Sequence, residues 1–282
     1  MPTLGTNRYG KSSIRLVKVR RGASGARDTP HELVDLTIDI LLEGAFESVY
    51  IAGENAACLA TDTMKNTVYA FARRERIDHV ETFALTLAGH FVEQPAVSHA
   101  TVAAIEHRWE RLSADGGIHP HAFVHRGAEQ WTTRVTCDAE GARVSSGLSN
   151  LVVLKTTDSS FAGFPRDAYT TLPDTNDRIL ATAVGAVWAY HTATVDFSGR
   201  DGIRAALVNT FASHDSRSVQ HTLYAMGEAA LAACGDITEI SLSMPNRHHL
   251  LVDLQPFGLD NPNEIFVATD QPFGLIEATV RR

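Results

Sequence analysis

Alternation of apolar and polar positions predicts two strands near the start of the chain. Leu33 to Glu43 alternates regularly, so that one face carries the apolar side chains of Val34, Leu36, Ile38 and Ile40. A period of two residues is typical of a strand with one buried face. Ile14 to Arg20 alternates less regularly and is also predicted to be a strand. Arg21 to Pro30, rich in Gly, Ser, Asp and Pro, is predicted to link the two as a hairpin.

Helical spacing follows these strands. Thr61-Asp62-Thr63 supplies N-cap candidates, and apolar residues then recur three or four positions apart at Met64, Val68, Phe71 and Ala72. Val80 to Glu93 is predicted to be a second helix. Further strands are predicted on both sides of the helix pair, over Ser48 to Ile51, Ala100 to Leu112 and His121 to Arg126.

The second half of the chain repeats this order of elements. Strands are predicted over Ala142 to Thr156, Ala181 to Phe197, Ile237 to Leu254 and Leu275 to Val280. Helices are predicted over Gly202 to Phe211 and Ser218 to Cys234. Each half thus has two strands, two helices and two strands, which favours an α+β fold with antiparallel sheets. We divide the chain into two repeats, residues 1–137 and 138–282.

Charge and cysteine content exclude several classes of protein. The 25 Lys and Arg residues against 33 Asp and Glu give a formal charge of −8, which argues against general binding to nucleic acid or to an anionic membrane. Cys58, Cys137 and Cys234 lie far apart without a CxxC pair, as in a reduced cytosolic protein. We found no signal peptide and no run of 18 apolar residues, so a cytoplasmic location is expected.

Motifs for metal or nucleotide binding were not found. His119-Pro-His121, with His125 nearby, has no metal-ligand spacing, and a solvated loop is the favoured interpretation. His248 and His249 are neighbours in a predicted strand, so their side chains are expected on opposite faces. Phosphate-binding glycine motifs and a GxSxG nucleophile motif are also missing from the sequence.

Short polar motifs carry the strongest functional signal, although each residue taken singly is more often structural. They are Tyr9-Gly10-Lys11, Ala60 to Thr67 (ATDTMKNT), Leu154-Lys155-Thr156 with Phe161-Ala162-Gly163-Phe164 and Asp177-Arg178, Ser218-Val219-Gln220, and Met244-Pro245-Asn246-Arg247-His248. These motifs occur in the same order as in the urate oxidase (uricase) family, which the chain resembles from about Tyr9 to Val280.

The resemblance implies a tunnelling fold with two tandem ββααββ repeats in each chain. Two chains would close their sheets into a barrel, and two barrels would stack as a homotetramer. The implied reaction is the oxidation of urate by O₂ and water to 5-hydroxyisourate and hydrogen peroxide, without a metal or an organic cofactor. This agrees with the lack of metal and nucleotide motifs in the sequence.

The resemblance also implies a substrate site. Arg178 and Gln220 resemble the pair that clamps the edge of urate, and Phe161 resembles the ring that stacks on the purine face. The chemistry fits, because a planar guanidinium forks onto an anionic purine and an amide both donates and accepts. The main-chain N–H groups of Val219 and Asp62 resemble donors at opposite edges of the substrate.

Asn246 resembles the amide beside the oxygen or water site above the ring. Lys11, Thr61 and His248 resemble a proton relay, in which a hydroxyl lies between an amine and an imidazole. The family pattern implies that Lys11 and Thr61 come from one chain and Phe161, Arg178 and Gln220 from its barrel partner. Two positions depart from the pattern: His249 replaces an expected aromatic residue, and Ala162 is smaller than usual.

Two alternatives stay open on the sequence alone, the second of them from a different class of protein. One is a tunnelling-fold enzyme that acts on pterins or related purines, often with zinc held by His or Cys. The other is a purine-binding or purely structural barrel that has lost catalysis. Metal analysis and sensitivity to a chelator separate the first alternative, and the presence of Lys11, Thr61 and His248 argues against the second.

Overall fold

The polypeptide forms two units, each recognisable by its own internal contacts. The structure is a computed structural model that describes residues 2–21, 29–114, 116–125 and 127–282. The first unit comprises residues 1–147 with 189–198, and the second comprises 148–188 with 199–282. The predicted link from Arg21 to Pro30 lies largely outside the described residues.

An antiparallel sheet forms the base of the first unit, in the strand order β1-β2-β3-β6-β7. A separate two-stranded hairpin, β4-β5, is inserted between β3 and β6. The strands are β1 (Tyr9–Arg20), β2 (Glu32–Gly44), β3 (Val97–Glu106), β4 (Trp109–Ala114), β5 (Gly117–His125), β6 (Gln130–Asp138) and the start of β7 (Gly141–Lys155).

Helices cover one face of this sheet. They are α2 (Thr61–Arg74) and α3 (Val80–Val92); the short helix α1 (Glu47–Ile51) precedes them and has no buried residue. The apolar face of β2 is fully buried against them through Leu36, Ile38, Ile40 and Leu42, and the helices contribute Met64, Val68, Leu87 and Phe91. Burial of each such side chain stabilises the fold by about 1.5–3 kcal/mol. The packing of these side chains therefore holds α2, and with it the first residues of α2, in place against the sheet.

The second unit has the strand order β7-β8-β9-β10. Its elements are the end of β7, β8 (Leu180–Tyr190), α4 (Arg200–Ser213), α5 (Val219–Ala233), β9 (Ile237–Leu251) and β10 (Phe266–Arg281). Helix α5 packs on β9 and β10. A Cβ on Gly227 of α5 would lie 2.9 Å from Cβ of Val280, so glycine permits the close approach of α5 to β10.

The predicted α+β architecture with antiparallel strands is confirmed, and most predicted elements are present. The strand predicted over Ser48 to Ile51 is wrong, because this segment is helix α1. The N–H groups of Val49 and Tyr50 donate to the carbonyl of Phe46, whose ring is fully buried. A segment of only four residues fits both the period of a strand and that of a helix, so its hydrophobic pattern cannot distinguish them. The hydrogen bonds to Phe46 make this segment helical.

Several predicted ends are also wrong. The run from Ala100 to Leu112 is divided between β3 and β4, and β6 was not predicted. Strand β8 ends at Tyr190, before a turn in which Asp196 accepts the N–H of Ser198. Strand β9 ends at Leu251, and β10 begins at Phe266. Among the described residues, no helix is long and apolar enough to cross a bilayer.

Candidate active site

Lys11 lies on the helix-covered face of the first unit's sheet. In the β1–β2 register Lys11 is opposite Ile40 and Ile14 is opposite Ile38, with an irregularity between them. Cross-strand partners in an antiparallel pair share a face of the sheet. Because Ile40 is fully buried under the helices, Lys11 lies on that face. In the described part of the chain, the ammonium group of Lys11 makes no hydrogen bond or ion pair.

Thr61 is the first residue of α2, not its cap. The N-cap position is Ala60, and no side chain there accepts a hydrogen bond. The predicted capping role of Thr61, Asp62 or Thr63 is therefore wrong. Since the first N–H groups of a helix have no intrahelical acceptor, those of Thr61 and Asp62 remain available as donors.

The carboxylate of Asp62 is held along the first turn of α2. It accepts from the ammonium of Lys65 and, at 2.9 Å, from Nδ2 of Asn66. The hydrogen bond from Lys65 is the main cause that lowers the pKa of Asp62, and the charge of Lys11 lowers it further. The structure therefore brings Lys11 and the start of α2 together, within electrostatic range.

Arg178 and Phe161 form the centre of a second group, in the second unit. The guanidinium carbon of Arg178 lies 5.3 Å from the centroid of the Phe161 ring. Burial lowers the pKa of Arg178, and its Nε is buried without a hydrogen-bond partner among the described residues. A half-buried guanidinium with a vacant donor is a suitable partner for a planar anion.

Phe164 supports the Phe161 ring from one face. The two rings are stacked at 4.9 Å with an interplanar angle of 11°. Gly163, at φ 75°, makes the turn between them. No role was predicted for Phe164, although the spacing Phe-Ala-Gly-Phe was the signal that could have suggested one.

The start of α5 is tied to the Phe161 segment through Ser216. Ser160 N–H donates to the Ser216 carbonyl at 2.7 Å, and Ser216 N–H donates to the Asp158 carbonyl at 2.9 Å. Ser218 is the N-cap of α5, and its hydroxyl accepts the N–H of His221 at 3.1 Å. The N–H groups of Val219 and Gln220 thus stay outside the helical hydrogen-bond ladder. The Gln220 side chain is exposed.

Asn246 and His248 form a third group, on β9. Asn246 is buried, and its Nδ2 lies 3.5 Å from Nδ1 of His248. Residues two apart on a strand share a face. His249 is the next residue of β9, and its Nδ1 lies 3.2 Å from the carbonyl of Arg247. That His248 and His249 lie on opposite faces stays a prediction from the alternation of a strand.

The segment that contains His119 and His121 was predicted to be a solvated loop, and this prediction is wrong. His119 and His121 lie on β5, and Nδ1 of His119 accepts the N–H of Ala122 at 3.0 Å. The described residues contain no cluster of three His, Cys, Asp or Glu side chains placed to hold one metal ion.

Comparison with known proteins adds to this geometry. The family model described as Uricase matches residues 7–136 and 144–277. A uricase of Arthrobacter globiformis is 46% identical over 281 residues, covering 99% of this chain and 90% of the relative. A uricase of Dictyostelium discoideum is 35% identical over 286 residues, covering 100% and 98%.

A solved structure agrees along the whole chain. The crystal structure of uricase from Arthrobacter globiformis superposes with a TM-score of 0.93, covering 100% of this chain and 96% of that one. The predicted resemblance and the tunnelling fold of the single chain are thereby confirmed. The chain belongs to the uricase family.

Proposed function

We propose that this protein oxidises urate with O₂ and water to 5-hydroxyisourate and hydrogen peroxide. Urate gives up two electrons, O₂ takes them with two protons to form the peroxide, and water supplies the new hydroxyl. The observation that supports this most directly is the half-buried guanidinium of Arg178: its Nε has no hydrogen-bond partner among the described residues, and its carbon lies 5.3 Å from the centroid of the Phe161 ring. It offers a planar anion both a charge and an aromatic face.

Arg178 and Gln220 would clamp one edge of the urate ring. The guanidinium donates two parallel hydrogen bonds, and the Gln220 amide donates and accepts. The free N–H of Val219 adds a donor at the start of α5, where the helix dipole favours an anion. The purine stacks on Phe161, whose other face is occupied by Phe164.

The opposite edge of the substrate would meet the start of α2. The N–H of Asp62 has no acceptor inside its helix, and Ala60 provides no side-chain cap. A carbonyl or ring nitrogen of urate can satisfy this donor without displacing another hydrogen bond. The Asp62 carboxylate is itself occupied by Lys65 and Asn66, so it does not compete for the N–H.

Lys11, Thr61 and His248 would move protons. A hydroxyl between an amine and an imidazole can pass a proton in either direction. Asn246, buried beside His248, would position O₂ or water above the ring. The doubly deprotonated substrate is electron-rich, so these groups need to supply only proton transfer, orientation and a dry oxygen site.

We further propose a homotetramer whose sites are shared between chains. Lys11 and Thr61 would come from one chain and Phe161, Arg178 and Gln220 from its barrel partner, giving two equivalent sites in each two-fold barrel. The repeats over residues 1–137 and 138–282 and the cytoplasmic location stay predictions.

The test is the purified protein with urate in air-saturated buffer, with and without a chelator. We expect urate absorbance to fall, with one O₂ consumed and one H₂O₂ released for each urate. The comparisons do not favour the pterin or zinc-dependent alternative, which predicts loss of activity with the chelator. An absence of urate consumption by folded protein would refute the proposed function.

A further inference from the structure

Strand β1 contains one residue more than β2 beside Lys11. Lys11 pairs with Ile40 and Ile14 pairs with Ile38, so Ser12 and Ser13 together face the single residue Asp39. This is a β-bulge, which inserts one unpaired residue into a strand. Ser13 has φ 58°, a left-handed conformation that is uncommon for residues other than glycine.

The bulge changes which residues of β1 face the helices. Beyond it, the even-numbered Ile14 and Leu16 are buried. Before it, the odd-numbered Tyr9 and Lys11 lie opposite the buried Leu42 and Ile40. In a strand without the bulge, side chains would alternate without interruption. Lys11 would then lie on the face opposite to α2.

Asp39 holds the bulge in place. Its Oδ1 accepts the backbone N–H of Ser13 at 2.6 Å. The bulge leaves this N–H without a partner in the β1–β2 ladder, and a carboxylate is a stronger acceptor than a neutral oxygen. The hydrogen bond therefore offsets the cost of the left-handed conformation at Ser13.

Gly10 complements this arrangement on the other side of Lys11. A Cβ at position 10 would overlap the carbonyl oxygen of Ile40, so the two strands approach closely at this point. The backbone of Lys11 is thus fixed by a close contact before it and by the Asp39-capped bulge after it.

We propose that Asp39 is a positioning residue for the reaction: it keeps the Lys11 amine on the α2 side of the sheet, beside Thr61 and Asp62. This inference rests on the proposed function. Asp39 itself is on the opposite face of β2 from the buried Ile38 and Ile40, so it acts through the backbone and does not touch the substrate.

The test compares Asp39→Ala with Asp39→Asn, which keeps a side-chain oxygen as acceptor. We expect Asp39→Ala to lower kcat by about 10- to 100-fold with little change in KM, since misplacing a catalytic group by about 1 Å has this effect. Asp39→Asn should stay within about threefold of wild type. Asp35→Asn is the matched control, because Asp35 is on the same face of the same strand but binds Arg15 and Trp109.

The decisive measurement is the same substitution in a Lys11→Met background. If Asp39 acts through Lys11, Asp39→Ala should have almost no further effect there. An equal loss of kcat in both backgrounds, or no loss in either, would overturn the positioning role. If Asp39→Ala does not fold, Ser13→Gly/Asp39→Ala replaces it, since glycine adopts the left-handed conformation freely. A wild-type protein that does not consume urate would overturn both proposals.

Discussion

The guanidinium carbon of Arg178 lies 5.3 Å from the centre of the Phe161 ring, and its buried Nε has no hydrogen-bond partner in the described part of the chain. Burial lowers the pKa of Arg178, but a guanidinium stays charged at any physiological pH. A charged guanidinium whose Nε has no acceptor among the described residues therefore lies beside an aromatic ring.

Arg178→Lys is expected to weaken substrate binding. A point ammonium cannot make the two parallel bonds of the guanidinium fork, so affinity should fall by about 1.5–3 kcal/mol. The measurement is the Kd of urate under anaerobic conditions. Arg166→Lys is the matched control, since Arg166 lies 5.0 Å from the Phe164 ring but donates to the Leu172 carbonyl. An affinity within about twofold of wild type for Arg178→Lys would exclude the clamp role.

Lys11→Met should act mainly on kcat. The amine is proposed to transfer protons and not to hold the purine, and a positioned proton-transfer group contributes about 10²–10⁴-fold. Steady-state kinetics with urate separate the two roles. If KM rose sharply while kcat was unchanged, Lys11 would be a binding residue.

Mixing two inactive variants should restore activity if the sites are shared. Thr61→Ala and Gln220→Ala, unfolded together and refolded as an equal mixture, would give mixed barrels in about half of the random pairings. Each mixed barrel has one of its two sites with both wild-type residues, so activity should recover to about 25% of wild type.

The separately refolded variants are the controls for this experiment. If Thr61 and Gln220 served one site within the same chain, the mixture would be as inactive as either variant alone. That result, in a sample shown to contain mixed oligomers, would rule out the shared site.

Ser218→Ala is expected to destabilise α5. The Ser218 hydroxyl accepts the His221 N–H at 3.1 Å, and loss of such a cap typically costs about 1 kcal/mol. Chemical denaturation measures the free energy of unfolding. Ser213→Ala is a suitable control, because that exposed hydroxyl donates to the Asn209 carbonyl and caps no N–H group. Equal stabilities of the two variants would contradict the capping role.

Acidification is expected to destabilise the fold in part through His214. Burial is the main cause that lowers its pKa, and the charges of His221 and Lys155 lower it further. The unfolded chain therefore binds this proton first as the pH falls below about 6.5, and the free energy of unfolding decreases.

His214→Gln should flatten the dependence of stability on pH between about pH 7.5 and about pH 5.5. Burial also lowers the pKa of His107, so His107→Gln/His214→Gln should flatten it more. Denaturation midpoints across this range provide the measurement. Curves of equal slope for wild type and both variants would show that these histidines do not contribute.

Most of the fold was predictable where an element is long and keeps one period. Strand β2 alternates through its centre, where Leu36, Ile38, Ile40 and Leu42 are the buried apolar positions, although the polar Asp35 is buried as well. Strand β6 was missed because Thr133 stands at an inward position. This threonine is buried because its hydroxyl donates to Glu81 of α3 at 3.3 Å, a contact between distant parts of the chain that no local pattern contains.

The candidate site was predictable through the family resemblance and much less through local patterns. The local sequence predicts Thr61 to be a helix N-cap, yet the N-cap residue of α2 is Ala60. The face on which Lys11 lies depends on the hydrogen bond between Asp39 and Ser13, residues 26 positions apart. Phe164 became informative only once its ring was seen stacked on Phe161. The assigned roles of the site residues stay predictions.

The bulge in β1 has a consequence for how this enzyme family can diverge. Between Lys11 and Ile14 the number of residues matters more than their identity, because gaining or losing a single residue would turn the lysine to the other side of the sheet. Substitutions at Ser12 or Ser13 are small evolutionary steps, whereas a one-codon insertion or deletion there would remove the amine from the site while leaving it in the sequence. For this reason, two relatives with the same percentage identity to this chain can differ completely in activity. An alignment of relatives should therefore be checked first for the number of residues between the lysine and the residue aligned with Ile14.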